Sequence, residues 1–243
     1  MSEIVYPDSS SNLKKREQVA QMFNHIASRY DLMNSVLSFG IYKRWMKKLV
    51  NQLRNDNPKL ILDVATGTAD IAIALMKINP EKVTGVDISE EMLAHGKIKI
   101  ARKNLKQKIE LEYADAEKLP FPENKFDAVS VAYGVRNFSH LEIGLKEMFR
   151  VLKPKGKIVI LEFSKPKNIF LKKIFEIYFH KICPLIGGII TGNRKAYTYL
   201  PQSVKVFPDG KEFENILQQS GFVNTKCISL TFGIASLYSG YKP

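Results

Sequence analysis

Three carboxylates, Asp63, Asp87 and Asp115, each close a short apolar run: "KLILDVATGTAD", "KVTGVDIS" and "IELEYADAE". A carboxylate just beyond a strand can accept both hydrogen bonds of a ribose diol, and Asp87 stands 24 residues after Asp63. Asp115, with Ala116 beside it, offers a side-chain acceptor and adjacent backbone groups to the amino edge of an adenine. The turn after the first run carries one glycine, Gly67, flanked by Thr66, Thr68 and Ala69, where a pyrophosphate cradle has three in GxGxxG spacing. Adenine and ribose without phosphates describe S-adenosylmethionine, with Asp63 near its ammonium group through water. A nicotinamide dinucleotide needs the missing glycines. Taken singly, each acid also reads as a cap of a helix or turn.

A fourth chemical feature is "AYGVRNF" (132–138), where Arg136 and Asn137 stand at the mouth of an apolar strand. A guanidinium there either faces a ligand or pairs with an acid such as Asp31 or Glu162 and shapes the loop.

These groups need elements to hold them. Residues 13–27 put Val19, Met22, Phe23 and Ile26 on one helical face, and a second helix covers about 40–54 with Trp45, Leu49 and Leu53. From residue 59 short apolar runs alternate with helices. Strands are expected at 59–65, 82–88, 109–115, 126–133 and 156–163, and helices at 69–78, 89–105 and 141–152. Ser89 caps the second of these helices, with acids in its first turn. Such alternation gives a parallel α/β sheet with right-handed crossovers. The tail from 208 reads helix, strand, strand, and 165–205 is an insertion of the kind that carries substrate choice.

Length and composition fit one globular domain: 243 residues, 45% hydrophobic and 25% charged. The N-terminus lacks the pattern of a signal peptide. Apolar stretches such as "CPLIGGII" fall short of a bilayer span of about 20 residues. Cys183 and Cys227 are not in CxxC spacing and have no clustered histidines, so neither a disulfide framework nor a metal site is expected, and a reducing cytoplasm fits. The net charge of +13 implies an anionic partner or a lysine-rich solvated surface.

"DVATGTAD", "VTGVDISEEML", "DAEKLPFPENKFDAVSVAYGVRNF" and "EMFRVLKPKGKIVILEFSKP" together resemble the class I methyltransferases of quinone biosynthesis. Within these, the chain is similar to the demethylmenaquinone and ubiquinone–menaquinone C-methyltransferase family. The likeness extends through "VAQMFNHIASRYDLMNSVLSFGIYKRW" (19–45) and "NRKAYTYLPQSVKVFP" (193–208). It implies a Rossmann-like α/β fold: a seven-stranded, mostly parallel sheet with helices on both faces, as a single domain over 1–243. That domain divides into an N-terminal helical lid (1–57), a core (58–163), a helical insertion (164–207) and a C-terminal helix with a strand hairpin (208–243).

Carried over residue by residue, the family's S-adenosylmethionine contacts fall on Thr68, Asp87, Asp115 and Ala116. A serine common in the family before the GxRN glycine is Ala132 here, which removes one side-chain hydrogen bond. The implied reaction is methylation of a ring carbon of a prenylated quinol. On that reading Arg136 stabilises a developing phenolate, Asn137 orients a ring oxygen, and Tyr30 meets substrate or cofactor. Because its guanidinium stays protonated, Arg136 is not a free base. The expected partners are a prenylated quinol, an anionic membrane at its cytoplasmic face and a second copy of the chain. The segment 165–188 mixes Ile169, Phe170, Ile174 and Phe175 with Lys167, Lys172, Lys173 and Lys181, which suits a membrane interface as well as a helix packed on the sheet. A nucleic-acid methyltransferase would carry an Asn/Asp-Pro-Pro-aromatic motif after the fourth strand or a placed cysteine, and "AYGVRN" stands there instead. A non-catalytic cofactor-binding module would not need "GVRN".

Overall fold

The computed structural model describes residues 5–192 and 194–243. Met1–Ile4 lie outside the described residues, as does Asn193, the first residue of "NRKAYTYLPQSVKVFP". Seven strands form one sheet among the described residues: β1 (Leu60–Val64), β2 (Lys82–Asp87), β3 (Ile109–Tyr113), β4 (Phe126–Ala132), β5 (Leu152–Phe163), β6 (Val223–Leu230) and β7 (Ala235–Tyr241). Their order is β3-β2-β1-β4-β5-β7-β6. The first five run parallel, and β7 is antiparallel to both of its neighbours.

Side chains that alternate along a strand supply two cores. Ile61 and Val159 join the layer built with Trp45, Leu49 and Leu75, whereas their neighbours Leu62 and Ile160 join Phe213 and Tyr238 on the other face. The helices that cover these faces are α3 (Ile41–Arg54), α4 (Asp70–Leu75), α5 (Glu90–Arg102), α6 (Leu141–Val151) and α10 (Lys211–Gln219). Ser89 caps α5 as its sequence suggests, accepting from Met92 N at 3.2 Å. The expected helix over 69–78 stops at Leu75 and tightens into a 3₁₀ turn, Met76–Ile78. Strand β5 starts at Leu152 rather than 156, because Leu152 pairs with Phe126 across an irregularity in β4.

Two helical layers lie beyond this frame. The N-terminal α1 (Lys15–Ile26) and α2 (Tyr30–Leu37) meet α9 (Arg194–Val206) in a third cluster that includes Met22, Ile26, Met33, Ala196 and Tyr199. The insertion closes with α9 and opens with α7 (Ile169–Ile177), a wide π turn (Tyr178–Ile182) and α8 (Cys183–Thr191). These pieces make a continuous helical stretch of 23 residues, long and apolar enough by length and composition to cross a membrane. The short-run expectation from sequence therefore does not hold for this segment. Its inner side packs on the domain, with the Tyr178 hydroxyl donating to Leu37 O at 2.6 Å.

The order of strands reverses between β1 and β4, so their carboxyl ends diverge into loops that flank a crevice. Two glycines set its width. Gly67 takes a left-handed φ of +54° in the turn after β1, where a side chain is strained. Gly134, after β4, has an ordinary φ of −101°; it is Tyr133 that adopts +58°. What Gly134 supplies is closeness, since a Cβ there would lie 2.5 Å from the Ala65 Cβ. Gly134→Ala should therefore push the two loops apart, lowering the melting temperature and weakening cofactor binding at least tenfold by calorimetry. Gly67→Ala, with open space around it, should cost only about 1–2 kcal/mol of stability.

Candidate active site

Asp87 ends β2 at the crevice. Its Oδ2 accepts from Gly67 N at 2.8 Å and its Oδ1 from Ser89 N at 2.9 Å. The carboxylate thus ties the first turn to the start of α5 while lining the cleft. Burial raises its pKa, and those backbone donors oppose the rise. Asp115 follows β3; its Oδ1 accepts from Glu117 N and its Oδ2 from the Arg16 guanidinium, both at 2.9 Å. Arg16 sits on α1 with Val19 and Phe23, three and four residues apart, and this face roofs the cleft. Gly67, Ala116 and Ala132 complete the walls around about 700 Å³ of empty volume.

Asp63 and Thr68 do not line this cleft. Asp63 is buried beneath it, accepting from Thr66 Oγ1 at 2.6 Å and Ser130 Oγ at 2.7 Å. Its place is behind the turn it braces. Thr68 donates to Asp31 Oδ1 at 2.5 Å and accepts from Lys99 Nζ at 3.1 Å. Lys99 also pairs with Asp31 at 2.8 Å and with Asp70, so the group ties α2 to α4 and α5. Gly67, Asp87, Asp115 and Ala116 are brought together; the other two proposed cofactor residues stand behind them.

Across the loop after β4 lies a second cavity, of about 1520 Å³ empty volume and mostly apolar lining. Phe23, Tyr30, Tyr133 and Asn137 line both cavities and form the partition between them. Arg136 faces only the apolar chamber. It pairs with Glu162 Oε1 at 2.7 Å, donates to Tyr133 O at 2.6 Å and stacks over Phe163. Of the two acids considered as its partner, Glu162 takes the role and Asp31 is engaged by Lys99. Glu162 is fully buried, and burial raises its pKa although Arg136 and two backbone donors hold it down.

Several site residues had little signal in the sequence. Lys15 and Arg16 read as part of a polar helix start, yet Lys15 Nζ donates to Phe138 O at 2.8 Å, and burial lowers its pKa to about 8. Tyr199 belongs to a quoted motif without an assigned role, and it lines the apolar chamber. None of His25, His95, His140 and His180 lines either cavity; His140 pairs with Glu117 at 2.8 Å and His180 with its own helix.

The donor set fits S-adenosylmethionine. Three carboxylate residues, Asp87, Asp115 and Glu117, line a cleft in which Arg16, already paired, is the one cationic lining residue among the described residues. Such a lining favours hydroxyl and amino donors and a cationic ligand over phosphates. Asp87 and Asp115 would hold the ribose and base, with Gly67 and Ala116 giving backbone approach.

Burial moves Asp63 up to about 7, against the hydrogen bonds from Ser130 and Thr66. An unfolded aspartate releases its proton near pH 4. Between about 4 and about 7 the folded state holds the extra proton, so this group's contribution to stability falls as pH rises and is gone above the folded pKa. Asp63→Asn should flatten that slope in denaturant midpoints taken across the window. An unchanged slope would place the titration elsewhere.

The sequence profile of the ubiE/COQ5 methyltransferase family matches residues 11–242. A demethylmenaquinone methyltransferase of Bacteroides fragilis is 44% identical over 234 residues, 96% of each chain. A ubiquinone/menaquinone biosynthesis C-methyltransferase UbiE of Geotalea daltonii is 43% identical over 231 residues, covering 94% of this chain and 98% of that one. Among solved structures, the [4+2]-cyclase SpnF superposes with a TM-score of 0.69 at 16% identity, over 94% of this chain and 97% of that one. A SAM-dependent methyltransferase from Thermotoga maritima superposes at 0.64 and 19% identity, over 92% and 99%. These two likenesses bear on the fold alone, and a cyclase among them illustrates that the fold does not dictate the reaction. With nearly its whole length matched, the chain belongs to the ubiE/COQ5 methyltransferase family.

Proposed function

We propose that the protein methylates a ring carbon of a prenylated hydroquinol, with S-adenosylmethionine in the carboxylate-bearing cleft and demethylmenaquinol as the acceptor. The observation that carries this reading is the partition: a small cleft floored by carboxylates shares Phe23, Tyr30, Tyr133 and Asn137 with a much larger apolar chamber. Two ligands of opposite character would meet there, one polar and cationic, the other oily. The names of the relatives from Bacteroides fragilis and Geotalea daltonii point the same way. A polyprenyl methoxybenzoquinol of the ubiquinone pathway is the second acceptor to test.

When bound, S-adenosylmethionine supplies an electrophilic methyl group. The chain's task is to hold a ring carbon in line with it and to make that ring electron-rich. Arg136 stands at the chamber wall, where it stabilises charge on a ring oxygen. Its ion pair with Glu162 keeps the guanidinium fixed but offsets part of its charge. Asn137 Nδ2 donates to Tyr133 O at 3.3 Å, which leaves Oδ1 to accept from a ring hydroxyl. Tyr30, its pKa raised by burial, remains neutral and packs edge-on against Phe23 at 6.0 Å. Asp63 and Thr68 act at one remove, by bracing the turn that carries Gly67.

The test is anaerobic turnover of demethylmenaquinol with methyl-labelled S-adenosylmethionine, read by mass spectrometry of the quinone. Absence of labelled product with either quinol would overturn the reading. Arg136→Ala is a poor probe, because leaving Glu162 buried and unpaired costs about 3–5 kcal/mol. Arg136→Lys keeps the charge and loses the fork; kcat should fall on the order of 100-fold, with cofactor affinity unchanged. Equal turnover would remove Arg136 from the chemistry.

An anionic membrane at the cytoplasmic side forms part of the same proposal. Ile169 and Phe170 project from α7 at 85% and 72% exposure, and Phe39 and Phe232, both chamber-lining, are 82% and 78% exposed. Lys167, Lys172, Lys173 and Lys181 lie in the same segment as α7. Ile169→Ser/Phe170→Ser should reduce co-sedimentation with phosphatidylglycerol vesicles at low salt. Equal binding by the variant would argue for a different membrane face, and no binding by the parent would remove the membrane from the proposal. Light scattering on the same samples reports whether two copies pair.

A further inference from the structure

Among the described residues, the buried side-chain polar atoms without a hydrogen-bond partner are Tyr133 Oη, Arg136 Nε, Asn137 Oδ1, Tyr197 Oη and Tyr199 Oη. All five residues line the apolar chamber. Tyr197 has Thr191 beside its hydroxyl. The other four come from two elements far apart in sequence, the loop after β4 and helix α9, and they line the same chamber. Tyr133 and Tyr199 both feel the charges of Arg136 and Glu162, and Arg136 and Asn137 both donate to the Tyr133 carbonyl. Elsewhere among the described residues the buried side-chain polar atoms have partners, and concentrating the exceptions in one wall is costly unless a ligand completes them.

We propose that Tyr133 and Tyr199 are acceptor-binding residues, their hydroxyls joining Arg136 Nε and Asn137 Oδ1 to form a polar seat for the oxygens of the acceptor ring. The inference rests on the quinol reading above and gives its site a donor count. Two phenolic O–H groups and one guanidinium N–H donate; one amide oxygen accepts. Three donors and one acceptor match a hydroquinol with one oxygen anionic and the other still protonated. The phenolate accepts the donated hydrogen bonds, and the remaining ring hydroxyl keeps its proton and donates a hydrogen bond to Asn137 Oδ1. Burial holds Tyr199 up to about 12 and Tyr133 well above the ordinary tyrosine value, so both keep the protons they donate. The residues of the seat come from the β4 loop and the insertion together, so the insertion supplies part of the chemistry as well as a wall.

Tyr133→Phe and Tyr199→Phe test this, because each deletes a hydroxyl and keeps the ring. Removing an unpartnered buried hydroxyl should leave the melting temperature unchanged or raise it by a few degrees. Cofactor affinity by calorimetry should stay within twofold. Turnover of demethylmenaquinol, expressed as kcat/KM, should fall tenfold or more in each variant, and the acid limb of the pH–rate profile should move up as the phenolate loses a donor. A lowered melting temperature with unchanged kcat/KM would overturn the proposal and leave the tyrosines structural. Binding of 1,4-dihydroxynaphthalene under anaerobic conditions separates this inference from the reaction itself. Tenfold weaker binding in the variants supports the seat even if the parent transfers no methyl group to a quinol, and equal binding overturns it.

Discussion

The buried pair of Arg136 and Glu162 is the constraint on which the rest of the site depends. Glu162 lies near the end of β5, inside the sheet, and Arg136 leaves the end of its neighbour β4. Neither charge tolerates that place alone, so each fixes the other. The guanidinium also donates to the carbonyl of Tyr133, which stands in a left-handed conformation. The loop from 133 to 137 is thereby frozen in one shape. Because that loop is a wall of both cavities, the ion pair sets where one ends and the other begins. Gly134 permits the shape by letting the loop touch Ala65.

The N-terminal helices are held by charges too, partly exposed ones around a buried Lys15. Arg16 reaches Asp115, Lys15 reaches the carbonyl of Phe138, and Lys99 gathers Asp31, Thr68 and Asp70. Contacts of this sort at a half-exposed surface are individually weak and sensitive to salt. The packed cluster of Met22, Ile26, Met33 and Tyr199 ties the same helices to the insertion, so roof and chamber wall are parts of one layer.

Much of the core was legible because strand ends carry their chemistry at fixed places. Asp87 and Asp115 follow short apolar runs, and the sheet delivers both to the cleft. Asp63 follows the same rule, yet Thr66 and Ser130 turn its side chain under the loop, an outcome that depends on contacts with β4 and not on local pattern. Thr68 was carried over from a motif, and Asp31, 37 residues away, captures its hydroxyl. The apolar chamber was the least legible part. Its lining comes from α1, α2, α3, the β4 loop, the insertion and the β6–β7 turn, and no window of sequence contains that set. The apolar run "CPLIGGII" is short by itself, but the helix from 169 to 191 continues through it, because Pro184 falls in the first turn of α8, where its missing N–H is tolerated.

The partition shared by the two cavities has a thermodynamic consequence. Phe23, Tyr30, Tyr133 and Asn137 present one face to each ligand, so neither ligand can shift them without the other registering it. Binding on the two sides is then coupled, and the coupling is reciprocal: whatever factor the methyl donor contributes to acceptor affinity, the acceptor returns to the donor. A change of cofactor on one side, from charged donor to neutral product, is felt across the same four side chains by the oily ligand on the other.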